Sequence, residues 1–462
     1  SDAAIVGDGM TARSNSADVS EAGSVREEPV PLPNLAASAD EALDSSSDAS
    51  RDLAFEEVDT RPAGERESEV TVYYGTNRKP LADDAVAVIG AWRYLILSLG
   101  ALCIVGIWFI GILRRQLLRY GAVGLIGCGA LAIWFTSLPA QARSADAIAM
   151  TRYGGELGTE LVVGKCKVSI PDNHQHGELE SASLLKFEFG EDPEKHIVLQ
   201  DTQPLEKSEF LEDLRGTLDQ RGNSLLVFIH GYNVSFEEAA RRTAQMSYDL
   251  EFSGAAAFYS WPSQDNWYKY QLDRKNIQLS VKQIRQFLTE LATESGAESI
   301  HLVAHSMGNV GLTEALADIE TQTKPLFNQV VLAAPDIDAD IFQQNVAPEI
   351  VGKAENLTLY TSQSDLALLA SRYFNSGKRV GESQAGVQFD GIDVIDASAV
   401  DTSLLGHNYY GEDSVLADLR ELLEARPLGE RTYLKTRQIS GTIQHFLESR
   451  RVAEGPSGGI MR

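Results

Sequence analysis

Ser299–Gly311 reads SIHLVAHSMGNVG, and this stretch decides the fold. It opens on an apolar, partly β-branched run, Ile300 to Ala304, long enough for a buried parallel strand. His305-Ser306-Met307-Gly308 breaks the run. A helical pattern follows, with Val310, Leu312, Ala315, Leu316 and Ile319 towards one face. A serine on a strand-to-helix turn sits on strained backbone, so small residues must stand two positions to either side. The turn lifts the hydroxyl above the sheet edge and aims the following N–H, that of Met307, at a developing oxyanion. The familiar pattern is G-x-S-x-G; here Ala304 takes the first small position and Gly308 the second.

Ser224–Asn233, SLLVFIHGYN, is the second fixed point. Five consecutive apolar residues make a buried strand that ends at His230-Gly231. A glycine there lets the backbone approach a ligand, so the N–H of Tyr232 can serve as the second oxyanion donor. Each such donor contributes on the order of 3 kcal/mol to the transition state. Phe236–Leu250 follows as an amphipathic helix, with Ser235 as N-cap and Glu238 as capping-box partner. Ala255–Trp261 is the next strand, Asp273–Ser295 a long helix, and Asn328–Pro335 and Asn356–Thr361 are further strands. Asp365 follows the last of these. Gly391–Ile395 is one more strand, and His407 lies in the loop beyond it. The alternation predicts an α/β protein with a mostly parallel, doubly wound sheet, whose site gathers at strand C-termini. Ser306, Asp365 and His407 all fall there, in the order nucleophile, acid, base. Asp336 and Asp338, after the preceding strand, are the alternatives to Asp365.

The rest of the chain bounds the setting. The 462 residues carry a formal charge of −26, which excludes a basic surface for nucleic acid. Cys103, Cys128 and Cys166 form neither a disulfide framework nor a C-x-x-C metal site, and no cofactor is implied. His174 and His176 form an H-x-H pair with no third ligand nearby, which reads as a polar turn. Residues 1–68, rich in Ser, Ala, Asp and Glu, are expected to be disordered. Val70–Thr76 looks like a strand, within a first-strand segment over 69–80, and Gly164–Pro171, Ser183–Phe189 and His196–Gln200 read as further, half-exposed strands.

Residues 92–142 read as a transmembrane hairpin. Tyr94–Leu113 and Tyr120–Ala142 each hold no charged residue and reach the roughly 20 residues that a spanning helix needs. Arg114, Arg115 and Arg119 in the connecting loop favour the cytoplasmic side for it. That puts both chain ends, in a bacterium, in the periplasm, with the protein held in the inner membrane. Arg114–Ala142 also resembles a signal peptide ending in A-Q-A, for which cleavage after Ala142 is the alternative to retention. The catalytic domain is expected over 150–425. A C-terminal piece over 426–462 is expected to hold a helical run near Lys435–Arg451 and a frayed end.

The motifs YYGTNRKP (73–80), HGYNVSFEEAARR (230–242), SWPS (260–263), AHSMGN (304–309), AAPDID (333–338), SQSDLAL (362–368) and DASAVDTSLLGHNYY (396–410) together resemble a bacterial family of α/β-hydrolases of largely undefined substrate, grouped with esterases and lipases. The resemblance implies that 73–80 is the hydrolase domain's own first strand, so that the hairpin is an insertion within it. It implies acyl transfer on carboxylic esters: His407 takes the Ser306 proton, Asp365 orients His407, and Tyr232 and Met307 hold the oxyanion. His230, Gly231, Trp261 and Asp336 are candidates for substrate contact or loop support. Trp261, Trp267, Tyr268 and Tyr270 would suit an acyl-chain groove. A lipase or thioesterase acting on membrane lipid or envelope acyl groups, a peptidase, and a catalytically silent binding protein remain open beside the esterase.

Overall fold

The computed structural model describes residues 69–81, 153–182, 191–320, 324–362, 377–382, 388–398, 413–439 and 442–447, all within the unit Arg61–Arg462. The strands are β1 (Glu69–Pro80), β2 (Tyr153–Ser169), β3 (Val198–Leu205), β4 (Ser224–Ile229), β5 (Ala255–Ser260), β6 (Ser299–His305), β7 (Phe327–Ala333), β8 (Ala354–Thr361), β9 (Asp393–Asp396), β10 (Leu434–Ile439) and β11 (Thr442–Leu447). The principal helices are α1 (Lys207–Arg221), α2 (Phe236–Asp249), α3 (Tyr270–Glu294), α4 (Gly308–Ala317) and α5 (Asp413–Leu423).

The eleven strands form one sheet in the order β10-β11-β9-β8-β7-β6-β4-β5-β1-β2-β3. From β1 through β5, β4, β6, β7, β8 and β9 to β11 every pairing is parallel. The antiparallel pairings are β1–β2 and β2–β3 at one end and β10–β11 at the other, so only β2 and β10 run against the rest. The central strands are apolar on both faces because helices cover both. Leu225, Val227 and Ile229 of β4 enter one core with α1, α3 and α4, while Leu226 and Phe228 enter the other with α2 and α5. Each such fully buried leucine is worth about 2 kcal/mol relative to exposure. This is an α/β-hydrolase fold with a mostly parallel sheet.

The winding reverses beside β4. The chain goes from β4 through α2 to β5 on one face, then through α3 on the other face to β6, which pairs with the opposite side of β4. The loops after β4 and β6 therefore diverge to opposite faces, which opens a crevice at their C-terminal ends. α2 begins as its sequence predicts: Ser235 Oγ accepts from the Glu238 N–H, and the Glu238 carboxylate accepts from the Ser235 N–H.

Two sequence expectations are corrected. The run near Lys435–Arg451 is not a helix: it supplies β10 and β11, and β11 pairs with β9 through His445↔Ile395 and Phe446↔Asp396. β9 would otherwise present an open edge. Pairing β11 there outweighs a weak helical periodicity, so the segment after 425 extends the sheet rather than standing apart from it. The strand expected from Gly164 begins instead at Tyr153, because the β1–β2 ribbon continues to Pro80↔Tyr153. Helix α1, over a stretch the sequence reading passes over, packs Phe210, Leu211, Leu214 and Leu218 onto the sheet.

Residues 1–68, the apolar runs at 94–113 and 120–142, and the strand expected at 183–189 lie outside the described residues. Among the described residues no helix is long and apolar enough to cross a membrane.

Candidate active site

Ser306 follows β6 at φ 50°, the left-handed region that non-glycine residues avoid. The turn is closed from both sides. The Ser306 N–H donates to the Ala333 carbonyl at 2.9 Å, and the Ser306 carbonyl accepts from the N–H groups of Asn309 and Asp336, each at 3.2 Å. Asn309 Nδ2 donates to both the Ser306 and Ala333 carbonyls at 3.1 Å. These bonds over-determine a conformation that costs roughly 1–3 kcal/mol on its own. The helix α4 starts at Gly308, directly after Met307, so its positive N-terminal end lies at the serine.

The loop after β4 is pressed against this turn. A Cβ on Gly231 would lie 3.2 Å from the Ser306 Cβ and 3.1 Å from the His305 ring. A Cβ on Gly308 would come within 2.7 Å of the Ile229 carbonyl oxygen and closer still to that of His230. Gly308 is therefore required by close approach, Gly231 is tightly fitted, and the approach sets Gly231-Tyr232 beside Ser306-Met307.

Behind the loop stands a dense polar scaffold. His230 is buried; its Nδ1 pairs with the Gly231 carbonyl at 2.7 Å and its Nε2 with Ser260 Oγ at 3.2 Å. Burial, then the neighbouring Arg78 guanidinium, hold the imidazole well below its usual pKa, so it stays neutral. Trp261 is fully buried, stacks on His230 with ring centroids 5.1 Å apart, and donates to the His230 carbonyl at 2.8 Å. Trp261 thus supports the loop and is no wall of an acyl groove. Asp273 accepts from Ser263 Oγ at 2.6 Å, from the Gln264 N–H at 2.9 Å and from the Asn233 N–H at 3.2 Å. It fixes Asn233, which also sits at positive φ.

Arg78 joins these parts, and no sequence signal singled it out. Its side chain is buried. Nε donates to Ser260 Oγ at 2.8 Å, Nη1 to the carbonyls of Ser263 at 2.9 Å and Gly154 at 3.1 Å, and Nη2 to the Val234 carbonyl at 2.9 Å. Burial lowers its pKa to about 10, against the opposing pull of Asp273. Asn77 extends the scaffold, accepting from the Tyr259 hydroxyl and donating to Ser280 Oγ, each at 2.9 Å. The TNR triplet is the foundation of the HGYN loop.

Asp336 lies directly behind the serine, with its carboxylate engaged elsewhere. Oδ2 accepts from the Tyr270 hydroxyl at 2.6 Å, and Oδ1 lies 3.2 Å from Arg379 Nε. Tyr270 is buried and packs edge-on to Tyr232, with ring centroids 5.5 Å apart, so it supports the oxyanion loop from the far side. Tyr268 is exposed. Asp338 caps the short helical turn that follows it.

Asp365 and His407 lie outside the described residues. The strands that lead to them, β8 and β9, are parallel to β6 and end at its edge, two and three places along the sheet. His174 and His176 are tied to the end of α2 rather than to the site. His174 bonds Glu180 and Asp249, each at 2.8 Å, and His176 bonds the Asp249 carbonyl. Among the described residues no group of three or more His, Cys, Asp or Glu side chains could hold a metal ion.

A serine at positive φ on a strand-to-helix turn, on this sheet, is an arrangement of the α/β-hydrolase fold. Residues 206–426, just under half of the chain, match the model of a family described as "Alpha/beta hydrolase of unknown function (DUF900)". No curated protein matches the chain. Among solved structures, one similar chain is a predicted CIB-like hydrolase from Thermoplasma acidophilum. It is 12% identical, the match covers 50% of this chain and 93% of that one, and the TM-score is 0.27, at which nothing is carried over from it.

Proposed function

We propose that the protein is a membrane-anchored serine hydrolase that cleaves carboxylic esters through an acyl-enzyme. One observation carries the reading: Ser306 is held at φ 50° with the Gly231 backbone against it, the arrangement that a nucleophile and its oxyanion donors require. Ser306 Oγ attacks the acyl carbon while His407 takes its proton. Asp365 orients His407 and stabilises the imidazolium. The negative oxygen of the tetrahedral intermediate accepts from the N–H groups of Tyr232 and Met307. The intermediate collapses as His407 returns the proton to the leaving alcohol. Water, deprotonated by the same histidine, then attacks the acyl-serine and releases the acid. No step draws on a metal or cofactor.

The hairpin at 92–142 anchors the chain, and the arginine-rich loop at 114–119 sets the catalytic domain on the periplasmic side of a bacterial inner membrane. p-Nitrophenyl esters of increasing chain length test the chemistry. His407→Ala is expected to lower kcat by roughly a thousandfold or more on every ester that the wild type cleaves. Wild-type rates in that variant would overturn the assignment.

A further inference from the structure

We infer that the bilayer entered by the two apolar runs lies against the sheet edge that carries Ser306, so that the substrate is an acyl ester drawn from the membrane surface. This rests on the proposed serine hydrolase and its hairpin. It adds which side of the molecule faces the lipid.

Strand registers carry the inference. The chain leaves the described structure after β1 and re-enters at β2, and the two stems are paired at Pro80↔Tyr153. β1 is parallel to β5, β5 to β4 and β4 to β6, so β1 ends at the catalytic edge. Gly75, Tyr259, Ile229 and Ala304 form one row across these strands. Pro80 is five residues past that row and Ser306 two. The stems therefore reach about 10 Å beyond the serine at ~3.3 Å per residue, some 14 Å to its side at ~4.8 Å per strand. The linkers Ala82–Arg93 and Arg143–Arg152 hold 12 and 10 residues. β1 is itself 12 residues long, about 40 Å, so bringing the apolar runs to the opposite edge would take full extension of the first linker and exceed the roughly 35 Å reach of the second.

The side chains at that edge agree. Tyr268 and Leu272, after β5, and Ile341, after β7, are exposed by 59%, 42% and 54%. Large apolar groups on the lipid side add buried area on seating, at about 25 cal/mol per Å². Arg78 bonds the carbonyl of Gly154 in the returning stem and that of Val234 beyond the oxyanion loop, so stem and site form one rigid unit.

The test uses the full chain in phosphatidylcholine vesicles, with Cys103 and Cys128 replaced by alanine; Cys166 is buried. Tyr268→Cys, Ile341→Cys and Val351→Cys are each labelled with an environment-sensitive fluorophore, and brominated lipid is the quencher. Val351, exposed and just before β8, marks the opposite edge. Strong quenching at 268 and 341 with little at 351 is expected; equal or reversed quenching overturns the orientation. A fluorophosphonate probe on the same samples reports Ser306 separately. Normal labelling without the expected quenching sinks the orientation alone, and quenching without labelling sinks the hydrolase reading alone. The variant carrying Leu272→Glu and Ile341→Glu is expected to lose roughly tenfold on a long-chain ester embedded in vesicles, through weakened interfacial seating. Its rate on a soluble short ester should stay within about twofold of wild type. A parallel loss on both esters would contradict the assignment of substrate.

Discussion

Gly231 and Ser306, which end different strands 75 positions apart, approach so closely that a Cβ on the glycine would lie 3.2 Å from the Ser306 Cβ. That contact sets the spacing between nucleophile and oxyanion loop. Gly231→Ala is expected to fold, since a few tenths of an ångström of movement accommodates the methyl. A displaced loop, however, is costly to chemistry, and kcat should fall by about ten- to a hundredfold. Urea unfolding alongside ester kinetics checks both halves; unchanged kcat would mean that the loop takes no part.

The strain at Ser306 predicts an opposition between stability and activity. Glycine accepts φ 50° at no steric cost and alanine does not. Both Ser306→Gly and Ser306→Ala remove the hydroxyl, but the glycine variant should be the more stable by about 1 kcal/mol. Denaturant midpoints of the two proteins measure this. An alanine variant at least as stable as the glycine one would show that the turn is unstrained.

Asp336 and Asp365 compete for the role of triad acid, and they should fail differently. Asp336 is buried with Arg379 and Tyr270, so Asp336→Asn leaves a buried guanidinium without its counter-charge and should cost about 3 kcal/mol or more in stability. Asp365→Asn should leave stability within about 0.5 kcal/mol and lower kcat by roughly a thousandfold or more. Thermal unfolding and turnover on a short ester separate the two. The reverse pattern would make Asp336 the acid.

His174 predicts a pH dependence remote from the site. Burial disfavours its charge, but the hydrogen bonds that its ring donates to Asp249 and Glu180 outweigh that and raise its pKa to about 9. The folded state thus binds this proton more tightly than the unfolded chain, where an ordinary histidine titrates near 6.5. The stabilisation is complete below about pH 6.5 and is lost as pH rises through about 9, worth up to about 3 kcal/mol. Melting temperature between pH 6 and 9.5 should fall in the wild type and fall less in His174→Gln. Parallel curves would remove His174 from the account.

The fold was legible where local chemistry dictates it. The apolar runs at 225–229 and 300–304 could only be buried parallel strands, and Ser235 with Glu238 marked a helix start that the structure reproduces bond for bond. Two features were not legible, because each depends on distant partners. Arg78 gains its meaning from Gly154, Val234, Ser260 and Ser263, which converge only in the folded chain. Residues 434–439 and 442–447 become strands because β9, fifty positions upstream of its partner in β11, offers an edge. For Trp261 the sequence leaves loop support and an acyl groove both open, because an aromatic beside a site pattern shows its type but not its direction. Folded, it lies beneath the loop.

A nucleophilic Ser306 hydroxyl reacts with an electrophile that spares ordinary serines. Incubation of the full chain with a fluorophosphonate, followed by peptide mass spectrometry, tests it directly. The account predicts one covalent adduct, on Ser306, that is absent from Ser306→Ala and strongly slowed in His407→Ala. No adduct on Ser306 in the folded wild-type protein, or equal labelling of the Ser306→Ala variant, would contradict it.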